Sequence, residues 1–185
     1  MAFKEWAIVV DALLHGEQTV LLRKGGLREG SGGFQIEHPE FLLFPTQFHQ
    51  QRQEVLPVAQ ARFDAIAPNF PPPDTLRVEG FARIVAFQRL DSLESAQRLR
   101  GQHIWRDEVI AQRFDWGREQ AIHALAVRVF RLEKPVEMPM RPTYGGCKSW
   151  IELEEEVPLL GAKPVLTEAD FSEKWAEWQK VVVPT

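Results

Sequence analysis

The chain has 185 residues, 44% of them hydrophobic and 26% charged, with a net charge of -4. That composition fits one folded soluble domain and excludes a disordered tract, a collagen-like repeat and a disulfide scaffold. No apolar run is long enough to span a bilayer, the N-terminus carries no secretory pattern, and the single Cys147 has no internal disulfide partner, so no membrane contact and a cytoplasmic setting are expected.

Residues 3–15 predict a short amphipathic helix, because Trp6, Val9, Val10, Leu13 and Leu14 recur at helical spacing. Gly16 follows as its C-cap. Thr19–Arg23 is β-branched and apolar, the signature of a strand. Residues 24–33 hold five glycines in ten positions and read as a loop. Phe34–Ile36 and Glu40–Phe44 predict a pair of strands around His38-Pro39. Thr46 to Ala67 reads as helical, with Pro57 as a break. Residues 68–74 form a stiff proline-rich connection. Residues 76–90 alternate as a long strand with a bulge at Gly80. Residues 91–100 make a short helix behind an Asp-Ser cap, and 103–114 are mixed. Residues 122–132 are the strongest strand, followed by an extended segment marked by Pro135, Pro139 and Pro142. Ser149–Leu153 closes the strands. Residues 167–181 predict a capped helix with Phe171, Trp175 and Trp178 facing inward.

Strand runs broken by helices give an α+β class with a small, mixed, partly closed β-barrel flanked by helices and a C-terminal helix. Residues 1–185 form one domain. Its parts are an N-terminal portion (1–67), the proline-rich connection (68–75), the main strands (76–157) and the C-terminal helix (165–183).

Charge is uneven along this frame. Residues 77–150 carry 13 basic and 9 acidic groups, a balance of +4, whereas residues 151–185 carry 3 and 8, a balance of -5. Arginine supplies 15 of the 22 basic groups, and its planar fork suits bidentate contact with carboxylate or phosphate. The net charge therefore excludes an indiscriminate polyanion binder and leaves room for a local site.

Three segments combine glycine or proline with charge or aromatics. In the first, Arg23, Lys24 and Arg28 bracket Gly25-Gly26 and could cradle a phosphate, or equally decorate a hairpin with solvated charge. In the second, Thr46, His49 and Gln50 project from a helix start. His49 suits acid–base work or a base edge, and Thr46 equally suits plain capping. In the third, Tyr144, Lys148 and Trp150 surround Cys147. The rings suit base stacking or core packing, and the thiol beside Lys148 suits nucleophilic chemistry or packing. His49 and Cys147 are thus the catalytic candidates. No histidine or cysteine spacing matches a metal site, and no motif asks for a cofactor. The run Glu152, Glu154, Glu155 and Glu156 alternates with Ile151 and Leu153 and reads as a solvated strand face.

The motifs Lys4–Ala7 (KEWA), Leu21–Gly26 (LLRKGG), Phe41–Thr46 (FLLFPT) with His49-Gln50, and Gly145–Trp150 (GGCKSW) resemble the bacterial family called domain of unknown function 1802. This resemblance covers nearly the whole chain. It implies a nucleic-acid setting and a restriction-endonuclease partner in restriction or defence systems. A second resemblance, at Gly16–Arg23 and in the late strand before Gly146 and Trp150, is to ASCH domains of the PUA-like superfamily. It implies a cleft that binds RNA or reads modified bases in DNA. Some ASCH proteins hydrolyse acylated cytidine with the motif lysine, a threonine and a glutamate, the lysine and the glutamate standing in the stretch that aligns with Gly16–Arg23. Gln18 and Leu21 stand at those two places here, which argues against that chemistry.

The expected function is a nucleic-acid-binding module, non-catalytic in preference to catalytic. Its expected contacts are Arg23, Lys24, Arg28, Thr46, His49, Gln50, Tyr144, Lys148 and Trp150. The alternatives are a hydrolase acting on a nucleotide or nucleic acid, and an interaction subunit that docks a partner through its acidic C-terminal helix.

Overall fold

The computed structural model describes residues 1–24, 29–30, 33–34, 38–47, 51–117, 119–146 and 148–182. Its architecture is α+β, built on a mixed sheet of seven strands in the order β2-β7-β6-β5-β1-β8, with β9 pairing β7. These are β1 (Ala2–Trp6), β2 (Val20–Arg23), β5 (Glu40–Thr46), β6 (Thr75–Leu90), β7 (Ile122–Pro139), β8 (Trp150–Ile151) and β9 (Lys163–Pro164). A separate pair, β3 (Glu29–Gly30) and β4 (Gly33–Phe34), makes a two-stranded ribbon. The helices are α1 (Ala7–Leu14), α2 (Pro57–Ile66), α3 (Leu93–Gln97), α4 (Asp107–Asp115) and α5 (Glu168–Val182).

The sheet does not close into the expected barrel: β2 and β8 end it on opposite sides. The outer edge of β2 is covered by side chains. Gln18 donates to the Val20 carbonyl at 2.8 Å and Arg113 to the Leu22 carbonyl at 3.2 Å. Such capping satisfies an edge that would otherwise offer bare backbone.

The N-terminus departs from the helical reading. Ala2–Trp6 is a strand, parallel to β5, and α1 starts only at Ala7. Pairing with β5 sets the strand, which places Phe3 and Glu5 on one face and Ala2 and Lys4 on the other. α1 then buries every residue except Asp11, and Gly16 ends it at φ 71°. The stretch 46–67 is helical only from Pro57, where proline at the first turn loses no hydrogen bond. β4 pairs β3, while β5 lies between β1 and β6.

β6 and β7 form a long antiparallel pair with register shifts at Val78/Gly80 and Ile84/Ala86. Gly80 pairs Arg131 and Val78 pairs Val136, so β7 bulges over residues 132–135. Pro135 sits in that bulge, where no ladder donor is required. A Cβ on Gly80 would collide with the Phe130 carbonyl oxygen and a Leu14 methyl, so the helix packs onto the strand at this glycine. α5 begins with the expected cap, Thr167 Oγ1 accepting from Asp170 N at 3.1 Å. It packs on its own sheet through Trp178, which stacks on Trp175, and through an Arg128–Glu168 ion pair. Among the described residues, no helix is long and apolar enough to cross a membrane.

Candidate functional site

The sheet splits along one seam. β5 pairs β6 only as far as Leu42 against Phe81. β5 then follows β1 to Thr46, while the first residues of β6 stay with the end of β7. Leu43–Thr46 and Thr75–Gly80 therefore diverge, and the gap between them is a groove of about 850 Å³. α1 supplies its floor through Val10, Asp11, Leu14 and His15. Phe63, Ile66 and Phe70 form one wall, and Phe44, Met140 and Tyr144 another.

Cations stand around the groove, and each has a partner. Arg77 bonds Glu137 at 2.7 Å across the β6–β7 ladder. Arg131 donates to the Leu14 carbonyl at 2.6 Å and lies 3.6 Å from Glu79. Arg141 bonds Glu155 at 2.7 Å, which raises the guanidinium's pKa and lowers that of the carboxyl. Lys4 donates to the Gly146 carbonyl at 3.1 Å and lies over the Phe44 ring. His15 Nδ1 is 2.8 Å from the Asp11 carbonyl oxygen, which directs the other ring nitrogen away from α1.

The opposite face of β1 carries a buried ion pair. Glu5 is 3% exposed, accepts from Trp6 N at 2.9 Å and pairs with Arg23 at 3.1 Å. Arg23 also donates to the Lys4 carbonyl and lies over the Phe3 ring at 4.3 Å. Beside this pair, Arg113 stacks on Trp105 at 3.9 Å, with Trp6 at 5.5 Å. Burial pulls the Arg113 guanidinium down to about 10, and the Glu5 carboxylate opposes that shift.

The sequence-derived site residues divide between these faces. Thr46 lines the groove and its hydroxyl donates to the Glu5 carbonyl at 3.0 Å. Tyr144 also lines it but is 2% exposed. Its hydroxyl accepts from Glu154 N at 2.9 Å and lies 3.2 Å from Glu155, so the ring is packed and not an open stacking surface. Arg23 and Trp150 meet on the other face through Phe3, with Trp150 4.7 Å from that ring. Lys148 is exposed, next to the Lys4 N to Ser149 carbonyl bond that starts the β1–β8 pairing. Lys24 is remote from the groove: its ammonium donates to the carbonyls of Phe114, Glu119 and Ala121 beyond α4. Arg28, His49, Gln50 and Cys147 lie outside the described residues.

Sequence reading missed most of the groove. Arg77, Arg131 and Arg141 come from the basic central segment, but their convergence depends on the β6–β7 pairing and the bulge. Phe63 precedes the proline-rich connection and Phe70 lies within it, and that segment carries no chemical signature. A second cavity, about 320 Å³, lies at the start of α4 between Leu56, His103, Arg100 and Arg106. Its arginines are matched within the chain, Arg100 to Asp107 at 2.8 Å and Arg106 to Glu108 at 3.2 Å. Among the described residues, no three acidic, histidine or cysteine side chains gather as metal ligands.

No curated protein matches the chain. Two solved structures resemble it. One is ASCH from Zymomonas mobilis, 13% identical over 95% of this chain and 92% of that one, with a TM-score of 0.45. The other is a tyrosine-to-phenylalanine mutant of the same organism's ASCH protein, 14% identical over 95% and 94%, with a TM-score of 0.42. A family model described as Domain of unknown function (DUF1802) matches residues 2–177 and takes in all the segments that build the split sheet. The chain belongs to the DUF1802 family.

Proposed function

We propose that the chain is a nucleic-acid-binding module that holds a single-stranded segment in the groove between β5 and β6. The carrying observation is the groove itself: an apolar, partly aromatic cleft of about 850 Å³ with Lys4, Arg77, Arg131 and Arg141 among the residues around it. Bases have apolar faces that stack on rings or lie on apolar walls, and each aromatic contact contributes about 1–3 kcal/mol. Phosphates exchange with the carboxylates that now hold the arginines, and guanidinium forks suit that exchange. RNA and DNA carrying a modified base are the two substrate classes that the ASCH resemblance suggests.

The test is fluorescence anisotropy with labelled single-stranded RNA, single-stranded DNA and duplex DNA. Three or four phosphate contacts on a single strand predict a fall in affinity of roughly twenty- to fiftyfold between about 50 and 200 mM salt. Arg77→Gln and Arg141→Gln are each expected to weaken binding and to flatten the salt dependence by about one contact. Phe70→Ala is expected to weaken binding without changing the salt slope. Absence of binding to all three probes at about 50 mM salt, or salt slopes unmoved by both arginine variants, refutes the reading.

A further inference from the structure

The wall of the groove made by α2 and the segment after it is far less buried than the α1 floor it covers. α1 buries all its residues but one, whereas α2 buries only Ala59. Val58 is 76% exposed, and Phe63 and Ile66 are only half-buried although they face the groove. The helical body, α2 with the 3-10 turn Ala67–Asn69, is flanked at both ends by extended backbone. Leu56 has φ -58° and ψ 152°, and Phe70 has φ -62° and ψ 142°.

At the first of those points, and beyond the second, the chain is firmly tied. Leu56 N donates to the Ile104 carbonyl at 2.8 Å, and Val55 bridges Trp105. On the far side, Thr75 enters the long β6–β7 ladder. Between the anchors, Ala59, Phe63 and Ile66 pack against the core, and polar contacts add further ties. Arg62 forms ion pairs with Asp11 at the groove floor and with Glu17 just past α1. Gln47 donates to the Pro71 carbonyl at 2.9 Å, and Arg77 to the Asn69 carbonyl at 3.4 Å. The Arg52–Asp64 pair joins α2 only to the segment just before it, and both side chains are about half exposed.

We infer that Pro57–Asn69 is a lid over the groove, turning about Leu56 and Phe70 and latched shut by Arg62 on Asp11 and Glu17. A segment that buries one side chain and is otherwise tied by partly exposed groups opens at a lower free energy than the core around it. Opening breaks the Arg62 latch, swings Phe63 and Ile66 outward and widens access to α1. The extended residues at each end absorb the backbone rotation, and the prolines at 71–73 keep the far hinge short and stiff. This inference rests on the geometry of the groove and not on what the groove binds.

The test is amide hydrogen exchange on the whole chain without ligand. Amides of 60–69 are expected to exchange at least about tenfold faster than those of β6 and β7. Arg62→Ala is expected to speed exchange in that segment at least about fivefold, the loss of a partly buried latch, and to leave β6 and β7 unchanged. Arg62→Lys is expected to restore part of the protection. Glu17→Gln, at the more exposed partner of the latch, is expected to act in the same direction more weakly and serves if the Arg62 variants fail to fold. Exchange of the segment at the rate of the core overturns the lid, as does an Arg62→Ala effect spread equally over the domain. In a second arm, a labelled single-stranded RNA octamer is expected to associate faster with Arg62→Ala. Failure of any nucleic acid to bind refutes the proposed function and leaves the exchange result to decide on the lid.

Discussion

His103 is expected to make stability fall as pH drops from neutral. Its side chain is 4% exposed, and its Nδ1 accepts from Trp105 N at 3.2 Å. Nε2 is buried with no hydrogen-bond partner. Burial pushes the imidazole down from 6.5 to about 4; Asp107 opposes this, while Arg113 and Arg100 add to it. The folded value is below the unfolded one, so between pH 6.5 and about 4 the unfolded chain takes up a proton that the native state refuses. The stability that neutral His103 contributes is complete above pH 6.5 and falls by up to about 1.4 kcal/mol per pH unit through that window. It levels off below about pH 4, after a total of about 3 kcal/mol. That is a large share of the roughly 5–15 kcal/mol that holds a domain folded. The perturbation is His103→Gln, which keeps an acceptor for the Trp105 amide and never protonates. Urea unfolding followed by tryptophan fluorescence, at intervals from pH 4 to 7.5, gives both stabilities. Subtracting the variant from the parent removes the carboxylates that do not act on His103, such as Glu155, whose pKa Arg141 lowers; the coupling between His103 and Asp107 stays in the difference. The difference is expected to slope between pH 4 and 6.5. A flat difference, or the His103 imidazole titrating near 6.5 in the folded protein by NMR, refutes the reasoning.

Further outcomes follow from other buried contacts, each measured by chemical denaturation. Glu5→Gln leaves Arg23 without its carboxylate and is expected to cost about 3 kcal/mol. Lys24→Met removes the ammonium that holds the carbonyls of Phe114, Glu119 and Ala121, and is expected to cost about 2 kcal/mol while leaving groove affinity unchanged. Gly80→Ala forces a methyl group against the Phe130 carbonyl and Leu14, and is expected to cost at least about 3 kcal/mol.

Much of the secondary structure was legible because local rules act over a few residues. The apolar alternation of 76–90 and 122–132 required long strands, and Thr167 with Asp170 required a helix start. Ala2–Trp6 misled because five residues of a buried strand followed directly by a buried helix merge into one apolar pattern. The period cannot separate them, and only the parallel pairing with β5 does. The site was less legible. Arg23 and Trp150 stand out in sequence beside Lys24 and Tyr144, yet only the first two come together, on Phe3, and Lys24 and Tyr144 go to separate places. Arg23 balances Glu5, Lys24 caps the end of α4, Tyr144 fills a packed wall, and Trp150 completes an aromatic cluster with Phe3, Phe41 and His38.

By itself, the sequence determined the α+β class, the long strands, the capped C-terminal helix and the concentration of arginine in the central segment. These depend on side-chain period, capping chemistry and composition, all local quantities. Tertiary structure decided that the sheet stays open, that β5 leaves β6 after Leu42, and that the resulting gap collects Lys4, Arg77, Arg131 and Arg141 around one groove. The physical reason is competition for strand partners. β5 continues with β1 and β6 with β7, and no residue in either strand records, on its own, which neighbour the other will keep.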